Sequence, residues 1–147
     1  MRAALATTLL AATVGAIAAP KAAAQNTWQQ QIRNQIATAA TAVREHGYSP
    51  DREMISGSLN DDASEGMRIN LQGGTRYAII GVCDEDCTDV DLRVWGPDGT
   101  KLDEDIATDD TPVLEFVAPV TGQYRLSVEM ATCRTNPCYW GVQVFAR

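Results

Sequence analysis

Clustered carboxylates are the residues of this sequence whose types and spacing could do chemistry. One short stretch holds Asp84, Glu85, Asp86, Asp89 and Asp91, and a second acidic stretch runs over 103–110. Calcium takes six to eight oxygen ligands, and loops at one end of a sheet could present them. The spacing matches no EF-hand, which needs a glycine and a glutamate at set loop positions. The alternative is a solvated acidic surface with turn-forming aspartates.

Residues that could perform catalysis are scarce. His46 is the single histidine, and a place in the last turn of a predicted helix suits contact with the helix C-terminus better than work as a base. The chain has no G-x-S-x-G motif and no second histidine for a zinc site. Paired carboxylates can hydrolyse glycosides, but so small a chain predicts no cleft for the sugar. The sequence therefore predicts a protein that is not an enzyme.

Four cysteines lie in two close pairs, Cys83 with Cys87 and Cys133 with Cys138. In a cytosolic protein such pairs could hold zinc, whereas in an exported chain they oxidise to disulfides, the outcome we favour. Four cysteines allow three connectivities, and we prefer the two local bridges, Cys83–Cys87 and Cys133–Cys138. Loops this short lose little entropy on closure, so each bridge should chiefly fix the shape of its loop.

Aromatic side chains offer a second kind of binding site. Trp95 and Trp28 are the candidates for a ligand or partner surface, because aromatic rings give a large and specific contact area. Trp95 has the opposite parity to the apolar residues of its strand, so it lies either exposed or beneath a helix. Tyr124 is instead expected in the core, with its hydroxyl tying the start of its strand as a tyrosine corner does.

The amino terminus carries the pattern of a secretory signal. A positive start precedes an uncharged, alanine-rich run that ends in Ala22-Ala23-Ala24, so residues 1–24 are predicted to be a signal peptide. The run is too weakly apolar to favour a membrane anchor. Cleavage removes two of the 12 basic residues and none of the 19 acidic ones, which leaves a net charge of about −9. This charge argues against nucleic acid and anionic lipid as partners.

Residues 25–47 are predicted to form a helix. Thr27 and Gln30 make a capping box at its start, Gly47 ends it, and apolar residues recur at helical spacing from Trp28 to Val43. The apolar stripe is narrow, so the helix must pack on something. It lies either on the chain's own sheet, which we favour, or on a partner protein.

Seven strand candidates follow, over 53–59, 67–71, 76–83, 90–95, 113–117, 123–130 and 139–146. A linker at Tyr48–Asp51 precedes them, turns such as Pro97-Asp98-Gly99 separate them, and no helix lies between them. Strand 76–83 is apolar on both faces, so the helix is expected to cover it. Alternation places these side chains in the core: Leu114, Phe116, Tyr124, Leu126, Val128, Met130, Trp140, Val142 and Val144. It places these in water: Glu115, Arg125, Glu129 and Gln143.

Several of these motifs follow one another in a recognisable order: Ile55-Ser-Gly-Ser-Leu59, Asp89-Val-Asp-Leu92, Gly96-Pro-Asp-Gly99 and Ala118-Pro-Val-Thr-Gly-Gln-Tyr124. The order resembles that of the bacterial pre-peptidase C-terminal (PPC) domain, over about Ile55 to Phe145. Family members are jelly-roll-like β-sandwiches on exported enzymes, and relatives include collagen-binding modules that carry calcium. The stretch Ser64–Asn70 departs from the family pattern, and the cysteine pairs are additions to it.

Taken together, the sequence and the resemblance predict an all-β, antiparallel, jelly-roll-like sandwich of about seven to eight strands at 53–147, with one N-terminal amphipathic helix. Asp89 and Asp91 are the first choices for calcium, because their Asp-x-Asp spacing resembles the family position, and Asn60, Asp61 and Asp62 are weaker candidates.

The predicted function is a non-catalytic binding or accessory module, periplasmic or secreted, stabilised by calcium and binding an exported protein, a peptide or a glycan. The alternative is a structural or inhibitory protein that docks another exported protein through its helix.

Overall fold

The chain folds as two packed β-sheets with one helix on the outside. The structure, a computed structural model, describes residues 21–147, and the side chains from Thr27 onward. Within that range the elements in chain order are α1 (Lys21–Glu45), β1 (Ser49–Pro50), β2 (Ile55–Leu59), β3 (Ala63–Leu71), β4 (Arg76–Cys83), β5 (Cys87–Trp95), β6 (Lys101–Asp105), β7 (Val113–Val117), β8 (Gly122–Cys133) and β9 (Cys138–Ala146). The predicted all-β sandwich with one helix is confirmed.

Most of the predicted signal peptide lies outside the described residues. Of the predicted signal peptide at 1–24, residues 1–20 lie outside the described residues, so the cleavage site stays a prediction. In the described part of the chain, α1 is not apolar enough over its length to cross a membrane.

The two sheets differ in what covers their outer faces. The first, which we call the covered sheet, has the order β1-β9-β4-β7, with β2 also pairing β9. The second, which we call the open sheet, has the order β3-β8-β5-β6. All neighbouring strands are antiparallel. The core between the sheets buries the side chains that alternation placed there: Leu114, Phe116, Tyr124, Leu126, Val128, Met130, Trp140, Val142 and Val144.

The helix lies on the outer face of the covered sheet, as favoured from the sequence. Its residues Ile32, Ile36, Ala40 and Val43 are buried in a second apolar cluster with Ala78, Ile80, Val82 and Phe145 of β4 and β9. The opposite face of β4 sends Tyr77 and Ile79 into the core between the sheets. The double-sided apolar pattern of β4 is therefore explained by helix on one side and sheet on the other.

The predicted start of the helix is wrong and its predicted end is right. The chain is already helical at Lys21, the first residue that the structure describes, so Thr27 lies inside the helix and is not its N-cap. The alanines before Thr27 have high helix propensity, so the helix extends past the capping signal. At the other end Gly47 has φ of +84° and Tyr48 N donates to Val43 O at 3.2 Å. This is the left-handed glycine that commonly ends a helix.

By strand parity, Gln143 of β9 lies on the outer face of the covered sheet. The prediction that Gln143 faces water is wrong, because α1 covers this face and the residue is only 8% exposed. Its Nε2 donates to the backbone oxygens of Arg52 and Val144, so its polar group stays satisfied after burial.

Two strands were missed because their sequences are polar or short. The predicted linker contains β1, in which Ser49 and Pro50 pair with β9. The acidic stretch after the Pro97-Asp98-Gly99 turn contains β6, which pairs with β5. Oδ2 of Asp105 accepts from Val113 N at 2.9 Å, and Oδ2 of Asp103 accepts from Glu115 N at 2.8 Å. These carboxylates join the edges of the two sheets and cap backbone donors of β7.

The distance between α1 and the covered sheet depends on a glycine. A Cβ atom built on Gly141 of β9 would lie 2.3 Å from Ile32 Cγ2, which is far inside van der Waals contact. Ile32 is fully buried, so it has no open space to move into.

We therefore expect Gly141→Ala to lower the free energy of unfolding by about 1–3 kcal/mol, the usual cost of overpacking a core. Urea unfolding followed by tryptophan fluorescence would measure the change. Gly66→Ala is the matched control, because a Cβ on this strand glycine meets nothing within 4 Å. Equal stabilities for the two variants would contradict this account of the helix contact.

Candidate functional site

The outer face of the open sheet carries a row of three side chains on three neighbouring strands. Arg68 of β3 is the register partner of Arg125 of β8, which is also the partner of Trp95 of β5. The guanidinium carbon of Arg125 lies 3.9 Å from the centroid of the Trp95 ring, in cation–π contact. Nη1 of Arg68 donates to Oε1 of Gln123 at 2.8 Å. Both guanidinium groups are thus held in position and keep further N–H donors.

This row lines a pocket of about 240 Å³, which we call the Trp95 pocket. Its other walls are the turn between β5 and β6 and the start of β8, and its lining residues are Arg68, Trp95, Gly96, Pro97, Gly99, Gln123, Tyr124 and Arg125. The half-buried Trp95 is therefore on the face away from α1, which decides between the two places that its parity allowed.

Hydrogen bonds within the turns fix the shape of the Trp95 pocket. Gly99 has φ of +83° and its N–H donates to Gly96 O, while Gly96 N donates to Thr100 O. The carboxylate of Asp98 accepts from Thr100 N at 3.0 Å and from Thr100 Oγ1 at 2.9 Å, which holds its pKa below the usual range. Tyr124 is buried and its hydroxyl donates to Val120 O at 2.6 Å, as the tyrosine-corner argument predicted.

The pocket is a local exception in an acidic protein. Within residues 27–147 no carboxylate lines it, and neither Arg68 nor Arg125 forms an ion pair. Arg93, the next outward residue along β5 from Trp95, pairs with three carboxylates, at 3.1 Å from Asp91, 3.5 Å from Glu104 and 2.5 Å from Glu129. The charge of Arg93 is thus neutralised inside the protein, whereas the two pocket arginines are available to a ligand.

The first-choice calcium residues lie toward the opposite end of β5. Asp91 is buried, and its burial raises its pKa, although the nearby Arg93 partly offsets that effect. Burial also raises the pKa of Asp89, and its Oδ1 is buried with no hydrogen-bond partner among the described residues.

Asp61 and Asp62 occupy the turn between β2 and β3, where they serve the backbone. Oδ1 of Asp61 accepts from Cys133 N at 2.6 Å, and Asp62 adopts φ of 58°. Over the described part of the chain, no group of three or more histidines, cysteines or acidic residues is placed to hold a metal ion. Calcium binding therefore stays a prediction. Thermal unfolding measured with calcium and with a chelator would test it.

Both preferred disulfides are present, Cys83–Cys87 and Cys133–Cys138. Their loops contact each other, because Arg134 N donates to Asp86 O at 2.9 Å and the Arg134 side chain donates to Glu85 O. Since β5 runs from Cys87 to Trp95, the bridges and the Trp95 pocket lie at opposite ends of the open sheet.

Trp28, the second predicted partner residue, stacks on Tyr139 of β9. The ring centroids are 4.2 Å apart and the ring planes differ by 10°. Trp28 is half-buried and packs against the apolar cluster under the helix. Its ring therefore helps to attach α1 to the covered sheet.

Sequence reasoning missed Arg68 and gave Arg125 no role beyond facing water. The alternation of β8 does put Arg125 outside, and that signal was present in the sequence. The juxtaposition with Arg68 and Trp95 depends on the pairing register of three strands that are far apart in the chain.

No protein-family model matches this chain, and no curated protein matches it. Among solved structures, it is similar to a periplasmic inhibitor of g-type lysozyme from Aeromonas hydrophila, with a TM-score of 0.49 and 10% sequence identity. The match covers 65% of this chain and 85% of that chain. So distant a likeness carries no argument about function.

Asp84, beside the first disulfide, makes the stability of the fold depend on pH. It is 7% exposed, its Oδ2 accepts from Tyr139 N at 3.1 Å, and its Oδ1 has no partner among the described residues. Burial raises the pKa of Asp84. Because the folded-state pKa exceeds the unfolded one, the stabilisation from this group is complete at low pH and is lost as pH rises through the folded pKa.

We expect the stability of the wild type relative to Asp84→Asn to increase as pH falls from 7 toward 4. Urea unfolding of both proteins at several pH values would measure this difference. Glu65→Gln, at an exposed site on β3, is the control for a general loss of negative charge. A difference that stays constant or shrinks on acidification would contradict the buried-carboxylate argument.

Proposed function

We propose that the mature chain is an exported, non-catalytic module that binds another exported protein through the Trp95 pocket and the sheet face around it. The observation that carries the proposal is the half-buried Trp95 with the Arg125 guanidinium carbon 3.9 Å from its ring centroid, on the sheet face that no helix covers within residues 21–147. Tryptophan and arginine are enriched among residues that dominate binding energy at protein interfaces. Strands and internal hydrogen bonds hold these side chains in place before binding, which lowers the entropy cost of association.

Export is supported by the two disulfides together with the signal pattern, because disulfides persist in oxidising compartments such as the periplasm or the extracellular space. The PPC-like assignment is kept as part of this proposal. It is supported by the sandwich layout and by two of its motifs, since Asp89–Leu92 lies within β5 and Gly96–Gly99 forms the turn after it.

The non-catalytic part of the proposal is supported by the position of the single histidine. Nδ1 of His46 lies 2.8 Å from Ala42 O, just after the last turn of α1, where the ring interacts with the end of the helix. The Trp95 pocket belongs to the other sheet, so His46 is not placed to serve as its base.

Docking through α1, the predicted alternative, is the second route to a protein partner. The apolar side of the helix is used on the chain's own sheet, and its exposed side is polar, with Gln30, Arg33 and Asn34. An apolar anchor of the kind that dominates interfaces is thus available at Trp95 rather than on the helix. We retain the protein partner of that alternative and assign its docking surface to the open sheet.

Trp95→Ala should weaken the complex by at least about 2 kcal/mol, roughly thirtyfold in Kd, without unfolding the protein. The partner would first be found by crosslinking in the exported fraction and identified by mass spectrometry. Its affinity for the purified wild type and for each variant would then be measured by calorimetry.

Asn34→Ala, on the exposed side of α1, is the matched control and should leave the affinity unchanged. Loss of binding in Asn34→Ala but not in Trp95→Ala would transfer the docking surface to the helix. Failure to obtain any partner whose binding depends on Trp95 would contradict the proposed function.

A further inference from the structure

Arg68 and Arg125 form an unusual pair for two neighbouring strands. They are direct register partners on β3 and β8, and both are exposed. Like charges directly opposite each other on adjacent strands destabilise a sheet, and opposite charges stabilise it. The neighbouring positions of the same face follow the favourable rule, since Arg93 is surrounded by carboxylates. The arginine pair therefore costs stability and is placed where an external anion would relieve it.

We propose that Arg68 and Arg125 form a receptor for a carboxylate group that the partner protein presents beside the Trp95 ring. This inference rests on the proposed function and names the chemistry of its contact. A guanidinium group binds a carboxylate with two parallel N–H donors. The Arg125 guanidinium carbon lies over the Trp95 ring, and no hydrogen bond or ion pair within residues 27–147 uses its N–H groups, so these donors remain free for such a contact.

The free donors of the pocket favour a carboxylate over a phosphate. Phosphate sites usually add a cradle of backbone N–H groups to their basic side chains. In the turn beside the pocket these donors are occupied, because Gly96 N binds Thr100 O, Gly99 N binds Gly96 O, and Thr100 N binds the Asp98 carboxylate. What remains is a pair of planar guanidinium groups next to a planar ring, which matches a flat carboxylate.

Charge complementarity supplies the reason for a protein's acidic side chain at this place. The precursor has a net charge of −7, so its surface as a whole repels acidic groups. The Trp95 pocket is a positive exception with no carboxylate in its lining among the described residues. A partner that inserts one glutamate or aspartate there gains a contact that other parts of the surface oppose, which fixes its orientation.

The test uses small probes, so that it does not require the partner. A blocked tripeptide with a central glutamate would be titrated into the 15N-labelled purified chain at constant ionic strength, with the Trp95 indole N–H signal followed by NMR. We expect a saturable shift, and at least tenfold weaker binding of the same peptide with glutamine. Arg68→Gln and Arg125→Gln should each weaken binding about tenfold, whereas Arg33→Gln, which removes an exposed arginine of α1, should not.

The proposed carboxylate receptor would be contradicted if the glutamine peptide bound as tightly as the glutamate peptide. It would also be contradicted if Arg68→Gln or Arg125→Gln bound the glutamate peptide with wild-type affinity. Equal binding of inorganic phosphate at the same ionic strength would overturn the choice of carboxylate. A chain that binds the glutamate peptide but no protein keeps the receptor and contradicts the proposed function. A chain that binds a protein through Trp95 but does not bind the glutamate peptide supports the proposed function and contradicts the carboxylate receptor.

A second measurement examines the strain of the pair itself. Arg68→Gln should unfold at a temperature a few degrees higher than the wild type in low salt, because it removes the repulsion. The difference should vanish at high ionic strength, where surface charges are screened. A variant that unfolds at a lower temperature in low salt would overturn the argument from like charges.

Discussion

The burial of β4 on both faces is the constraint on which the rest of the structure depends. One face of the strand packs into the core between the sheets, and the other presents Ala78, Ile80 and Val82 to α1. Each larger side chain in that second cluster contributes about 1.5–3 kcal/mol when it is fully buried, so the covered sheet needs the helix. Ile32 of the helix packs so closely against Gly141 that no side chain could be added at that position of β9 without moving the helix. The helix is thus a third layer of the domain.

The division between a covered and an open sheet also determines where the proposed binding surface lies. Among the described residues, α1 occupies the outer face of the covered sheet, and strand parity determines which side chains lie on the outer face of the open sheet. Trp95, Arg125 and Arg68 come together there because their three strands are neighbours in the register. At the far end of the same sheet, Arg134 N donates to Asp86 O between the two disulfide loops, and Cys133 N donates to the side-chain carboxylate of Asp61 in the turn between β2 and β3. The proposed binding surface gains its rigidity from the sheet.

Local alternation in the sequence was enough to predict the sandwich, the core of β7, β8 and β9 and the double-sided β4, and the close spacing of the cysteines was enough to predict their pairing. It failed where the outcome depends on partners distant in sequence. Nothing local shows that Gln143 lies under a helix or that Arg68 faces Arg125. The strand β6 was hidden because its acidic side chains read as a solvated loop, while in the fold Asp103 and Asp105 accept hydrogen bonds from another strand. Clustered aspartates suggested a metal, and the fold uses several of them as acceptors for backbone N–H groups.

The contact between β6 and β7 affects whether further chains can pair with the edge of the covered sheet. An unpaired strand edge is a template on which further chains can add and grow into fibrils. Here two side chains of the same molecule occupy backbone donors of β7, so an incoming chain would first have to displace them. Because the carboxylates of Asp103 and Asp105 belong to the same molecule as β7, these hydrogen bonds do not depend on protein concentration. These two hydrogen bonds therefore oppose the addition of a further strand to β7 at the edge of the covered sheet.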